Sequence, residues 1–166
     1  SYRAYIDQSG RWWQEEFLEG TDYRRRVEVD FIIGSGNHTR SYLGTVENEL
    51  IQMPLTWYSG RKIWDLSPGY HGPNHFRFNR PIQAPCLFCH NDLTPSRDGT
   101  KAGYTEALAE GISCVRCHGD GTAHVKARSA GQLPAPGKSD ILNPGKLNNA
   151  EQLKICQQCH LAGETR

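Results

Sequence analysis

Residues 112–125, ISCVRCHGDGTAHV, decide how this chain must be built. Within them Cys114, Cys117 and His118 stand at positions i, i+3 and i+4. Wound as one helical turn, residues at those offsets leave the helix on the same face, because 3.6 residues complete a turn. The pattern recurs as Cys86-Leu87-Phe88-Cys89-His90 and Cys156-Gln157-Gln158-Cys159-His160, so it consumes all 6 cysteines of the 166 residues. A shuffled chain of this composition would hold about one hundredth of such a match, so the pattern carries a function.

Three chemistries use paired cysteines. Structural zinc takes two C-x-x-C pairs per tetrahedral site, which leaves one pair over and gives no reason for the histidine after each second cysteine. A disulfide inside C-x-x-C closes a very short loop and staples little. Covalent c-type haem uses every element: two thioethers hold one edge of the macrocycle and the imidazole reaches the iron. Three c-type haems are therefore expected, attached through Cys86, Cys89, Cys114, Cys117, Cys156 and Cys159, with His90, His118 and His160 as iron ligands.

The composition suits that reading. Only 37% of residues are hydrophobic, and 17 glycines and 9 prolines interrupt regular structure. The haems are expected to supply much of the core. A chain of this length makes one domain, or a compact domain with a small subdomain, with a radius of gyration of roughly 15 Å, so three haems inside it lie close together. The net charge of +1 provides no strong field for nucleic acid or an anionic membrane. The basic run Arg24-Arg25-Arg26 lies between acidic clusters and reads as a solvated strand face. No apolar run approaches the roughly 18 residues needed to span a bilayer. The chain begins at Ser1, as expected of an exported protein whose signal peptide has been removed, or of a fragment.

The chain changes character near Pro68-Gly69, which divides it into 1–68 and 69–166. Before that point, SYRAYID, RWWQEEF, YRRRVEVDFII, ELIQMPLTWY and KIWDL alternate with turn residues and predict an antiparallel β-meander. Trp12, Trp13, Trp57 and Trp64 all fall there and are expected to pack the sheet. After it come the three motifs among loops and short helices. NAEQLKICQQCH predicts a helix capped by Asn149, a second helix is expected from near Thr105 to Gly111, and Gly131 to Gly145 should be an extended loop. The motifs start 28 and then 42 residues apart, so they form no fixed-period repeat. The expected class is α+β with sparse regular structure.

Each iron needs a group on its second face. Outside the motifs stand four histidines, His38, His71, His75 and His124, and one methionine, Met53. Four imidazoles for three irons favour histidine on both faces, and the strand-like context with Pro54 disfavours Met53. His124 lies six residues beyond His118, too near for an easy reach to the opposite face of the same haem, and is expected to serve a neighbour. His71 and His75 compete just before the first motif. In FIIGSGNHTRSYL, residues 31–43, a nucleotide-binding loop is excluded because Thr39 stands where a third glycine is required. The glycines flanking Ser35 instead allow a sharp turn that delivers His38 as an iron ligand. Asn37-His38-Thr39 also matches a glycosylation sequon, a weak motif here.

The stretches GSGNHTRSYL, MPLTWY, SPGY, CLFCHN, ISCVRCHGDGTAHV, ILNP and CQQCHL, within residues 28 to 162, resemble bacterial multihaem c-type cytochromes. The likeness is to the cytochrome regions often joined to tetratricopeptide repeats. The resemblance implies distal ligands at His38, His75 and His124, and His71 has no counterpart in it. Relatives of that kind usually carry a further C-x-x-C-H before the segment matching Ser1 and repeats after the one matching Arg166. The resemblance therefore leads one to expect either a fragment or a shorter protein that works in an assembly.

Closely spaced haems with both axial positions filled make an electron carrier rather than an enzyme. The alternative is an oxidoreductase acting on a small nitrogen or sulfur oxyanion at an open iron. Redox proteins are the expected partners, and a distal histidine crossing between copies would build a head-to-tail filament. Because C-x-x-C-H attachment is completed outside the cytoplasm in the proteins resembled, the periplasm or cell surface is the expected location.

Overall fold

A computed structural model describes residues 1–72, 75–92, 99, 102–104, 108 and 111–160. The chain forms two compact units, Ser1–Cys86 with Thr94–Ala107, and Leu87–Leu93 with Leu108–Arg166.

The first unit is built of β-sheet. Strands β1 (Tyr2–Ile6), β2 (Trp12–Phe17) and β3 (Arg24–Glu28) form an antiparallel meander in that order. Opposite charges face one another across it, Arg3 with Glu15, Glu15 with Arg26 and Glu16 with Arg25, which supports this register. The Arg24–Arg26 run lies against aromatic rings, with Arg24 over Phe17, Arg25 over Phe78 and Arg26 over Trp13.

A second sheet has the order β8-β7-β5-β6-β9, with β4 also on β5. Its strands are β4 (Phe31–Ile33), β5 (Thr39–Val46), β6 (Glu49–Gln52), β7 (Leu55–Tyr58), β8 (Ile63–Leu66) and β9 (Arg80–Pro81). Glu47 and Asn48 both take positive φ, 50° and 69°, as the two-residue hairpin joining β5 to β6 requires. Trp57 faces Trp64 across β7 and β8 with ring centroids 5.7 Å apart, and Trp12 stacks on Tyr42. The core is Val27, Tyr42, Ile51, Met53 and Phe78.

Three consecutive residues of β2, Gln14, Glu15 and Glu16, are buried, although alternation would place them on opposite faces. Each is satisfied differently. The Gln14 amide donates to the Leu55 carbonyl and accepts from the Leu55 N–H, both at 2.8 Å. Arg3 Nε donates to Glu15 at 2.7 Å. Glu16 receives Arg77 Nε at 2.6 Å and the hydroxyls of Tyr2 and Tyr23 at 3.0 Å.

The composition boundary at Pro68-Gly69 does not end this unit. Tyr70 and Phe78 are fully buried, the Tyr70 hydroxyl donates to the Gln52 carbonyl at 2.6 Å, and β9 pairs with β6.

Among the described residues the helices are α1 (Ala84–His90), α2 (Val115–His118), α3 (Thr122–Ser129) and α4 (Asn149–His160), with a 3-10 turn over Pro144–Lys146. Antiparallel sheets followed by a few short helices make an α+β architecture, as the sequence predicts. The N-cap of α4 is Asn148 rather than Asn149. The Asn148 side chain accepts from the Glu151 N–H at 3.0 Å while Glu151 accepts from the Asn148 N–H at 3.2 Å, a reciprocal capping box. The helix expected between Thr105 and Gly111 lies outside the described residues except for Leu108 and Gly111. Among those described, no helix is long and apolar enough to cross a membrane.

Candidate functional site

The histidine of each C-x-x-C-H motif is the last residue of a helix, His90 on α1, His118 on α2 and His160 on α4, and Cys114 is the residue that precedes α2. In the middle motif the His118 N–H bonds the Cys114 carbonyl at 2.9 Å, which is the i to i+4 relation that stacks the two side chains. Gly119 follows at φ 70°, a value closed to most residues, and stops the helix directly after the imidazole. None of the six cysteines is in a disulfide.

The second intervening residues of the three motifs meet. Arg116 places its guanidinium 4.2 Å from the centroid of the Phe88 ring and donates to the Phe88 carbonyl. Gln158 donates to the Arg116 carbonyl at 3.1 Å, and Cys89 Sγ lies 3.8 Å from the Cys159 carbonyl.

A cavity of about 700 Å³ is lined by Cys114, His118 and His124 together with the apolar Val115, Val125 and Ile141. That is the size and character of a cofactor pocket. The two imidazoles are oriented by one strap of chain. His118 Nδ1 is 2.8 Å from the Leu142 carbonyl, and His124 Nδ1 is 2.9 Å from Asp140 Oδ1. A carbonyl or carboxylate only accepts, so each neutral ring keeps its proton on Nδ1 and offers an unprotonated Nε2. Hydrogen bonding from His124, with help from the Arg128 charge and against some desolvation, holds the Asp140 carboxyl below the usual range.

The second unit has little core of its own. Among its described residues Leu87 is the one apolar side chain that is buried, and α2, α3 and α4 bury none. Val115 and Val125, on the cavity wall, are 51% and 61% exposed. A polypeptide unit that leaves its apolar side chains uncovered around paired thiols and oriented imidazoles fits large, flat, apolar groups bonded to those thiols. The residues therefore fit covalently held haem: the cysteines as attachment points and the histidines as iron ligands.

The remaining candidates lie in the first unit. Gly34 and Gly36 take φ 102° and 87° and turn the chain between β4 and β5, so that the exposed His38 directly precedes β5. A Cβ on Gly34 would stand 2.7 Å from the Thr39 carbonyl oxygen, so the turn needs glycine there. The His38 carbonyl accepts from Ser59 N–H at 2.8 Å. Met53 is fully buried, and its Cε occupies the space that a Cβ on Gly44 would need. His71 is exposed. His75 packs against the rings of Tyr2 and Tyr70, and its Nδ1 accepts from the Arg77 N–H at 3.1 Å. That bond is opposite in sense to those of His118 and His124: a neutral His75 carries its proton on Nε2.

Sequence reasoning missed Arg116, Asp140 and Leu142. Arg116 and Leu142 lie inside motif stretches but have no pattern of their own, and Asp140 follows a Pro/Gly-rich loop with nothing to tie it to His124.

Residues 73–161 match the protein family described as cytochrome c7 and related cytochrome c. No curated protein matches the chain. A solved structure, the crystal structure of the outer cell wall cytochrome OcwA, is similar at 20% identity and a TM-score of 0.46. The likeness covers 76% of this chain but 24% of that one.

Proposed function

This chain belongs to the cytochrome c7 and related cytochrome c family, a multihaem c-type cytochrome, and from that premise we propose that it passes single electrons along three covalently attached haems, each held between two imidazoles. When bound, the haems supply one-electron ferric/ferrous couples. Cys86, Cys89, Cys114, Cys117, Cys156 and Cys159 anchor them, and His90, His118 and His160 are the proximal ligands. His124 and His38 take distal positions. The third comes from the segment containing His71 and His75, where His75 ligates through Nε2 only after its Nδ1 releases the Arg77 N–H. Imidazole on both faces keeps the potentials below those that a Met/His pair would give.

The observation that carries this reading is the second unit, which holds two complete thiol-thiol-imidazole turns and the Cys89-His90 end of the other but buries a single apolar side chain among its described residues. Redox proteins are the partners, and the periplasm or cell surface is the location, because covalent haem attachment is completed outside the cytoplasm. Copies joined head to tail would extend the haem chain into a filament, which electron microscopy of the native protein would show directly.

The test is haem stoichiometry with ligand binding. Intact mass and the pyridine haemochrome spectrum should give three haems per chain, and electron paramagnetic resonance of the oxidised protein should show all of them low-spin. A stoichiometric Soret shift when the reduced protein meets carbon monoxide or nitrite would overturn the carrier reading. It would point to an oxidoreductase acting on a small nitrogen or sulfur oxyanion.

A further inference from the structure

His118 and His124 line the same cavity, yet their Nδ1 atoms are held by partners of different charge. The Leu142 carbonyl, 2.8 Å from His118, is neutral, whereas Asp140, 2.9 Å from His124, is a carboxylate. The carboxylate is itself fixed. Arg128, one turn beyond His124 on α3, reaches both Asp140 oxygens from one nitrogen, at 2.9 and 3.1 Å, and its other terminal nitrogen donates to the Gln132 carbonyl at 2.6 Å. The strap between the two acceptors is also pinned. Ser139 Oγ donates to the Ile141 carbonyl at 2.5 Å, and the Ile141 side chain is part of the cavity wall, as is Gly121.

We propose that Asp140 is a positioning residue for His124: it sets the ring with its proton on Nδ1, strengthens electron donation from Nε2, and so lowers the potential of the iron that His124 ligates. A carboxylate draws the Nδ1 proton more strongly than a neutral carbonyl does, which places more electron density on Nε2. A stronger electron donor stabilises the ferric iron over the ferrous. Arg128 holds the carboxylate at the imidazole and shares its charge, so the effect is graded rather than that of an isolated anion. His118, held by a carbonyl, receives no comparable push. The iron that His124 ligates would thereby sit at a lower potential than one whose imidazoles lack a carboxylate partner. The inference rests on the proposed reading that His124 is an iron ligand.

The experiment compares holoprotein carrying D140N, D140E or H124A with the parent, by spectroelectrochemical titration and low-temperature electron paramagnetic resonance. D140N preserves shape and one acceptor oxygen while removing the charge. It should leave three low-spin haems and raise one potential by a tenfold change in that haem's reduction equilibrium, about 59 mV for one electron, and D140E should restore the parent value. A merely structural role would alter unfolding stability without singling out one haem. If H124A gives one high-spin haem but D140N leaves all three potentials in place, or moves them together, the role of Asp140 is refuted and His124 remains a ligand. If H124A leaves every haem low-spin, the ligand reading falls and takes the Asp140 role with it.

Discussion

Gln158 donates its side-chain amide to the backbone carbonyl of Arg116 across 3.1 Å. Because Arg116 also lies on the Phe88 ring at 4.2 Å, the three attachment helices are joined through residues that the thioether chemistry leaves undetermined. A C-x-x-C-H motif constrains its cysteines and histidine and allows any intervening side chains. Here one of those positions in each motif is used to dock the helices.

Arg116 is therefore predicted to carry more stability than its partly exposed position suggests. R116A removes a cation–π contact and a charge-assisted hydrogen bond, together worth about 2 kcal/mol. Guanidinium unfolding of the holoprotein, followed by haem circular dichroism, should show that loss with the haem count unchanged. R116K keeps the charge but loses the flat stack and should recover less than half. An R116A midpoint equal to the parent's would remove Arg116 from this docking role.

Gln14 is the corresponding point in the first unit. Its side chain completes both the N–H and the carbonyl of Leu55 from 41 residues away and is fully buried. Q14L would leave two buried backbone groups unpaired, at about 1–3 kcal/mol each. Urea unfolding should show a loss of about 3 kcal/mol, and a change below 1 kcal/mol would mean that water replaces the amide.

The residues that sequence reading found and those it missed differ in the range of their interactions. The relation of Cys114 to His118 lies within one helical turn, so the chain order displays it. The strands of the first unit were legible from β-branched and aromatic runs separated by turn residues. Gln14 was invisible because its partner is a backbone group in another strand, and a buried Gln-Glu-Glu run contradicts simple alternation. Tyr70 and Phe78 follow the composition change at Pro68-Gly69 in sequence yet are fully buried, a burial that composition alone does not reveal. The sequence places the cap of α4 at Asn149, and the hydrogen bonds of Asn148 move it one residue earlier. Asp140 reaches His124 across 16 positions of irregular chain, where no periodicity operates.

Glu16 makes stability depend on pH. Its burial alone would raise the carboxyl pKa, but hydrogen bonds from Arg77, Tyr2 and Tyr23 and the Arg77 charge together hold it below the usual value of 4.5. A group whose folded pKa is depressed contributes stability above its unfolded pKa, and that contribution is lost as pH falls through the folded value. The urea midpoint of the parent should be steady above pH 5 and decline below about 4.5. E16Q should start lower and decline less, and equal slopes for the two would show that other carboxylates account for the acid response.

His38 tests whether the β-rich unit reaches the redox chemistry. If it is a distal ligand, H38A should leave three haems attached, since no thioether is touched, and convert one from low-spin to high-spin. G34A approaches the same question through the backbone. A Cβ 2.7 Å from the Thr39 carbonyl oxygen, on a residue at φ 102°, forces the turn to open at a cost of about 1–3 kcal/mol. A displaced turn moves the His38 ring without removing it, so G34A should give a temperature-dependent mixture of low-spin and high-spin haem that added imidazole returns to low spin. H38A should respond to imidazole in the same way but without the mixture. An unchanged low-spin spectrum in H38A would eliminate His38 as a ligand, and the loss of stability in G34A would then report only the hairpin.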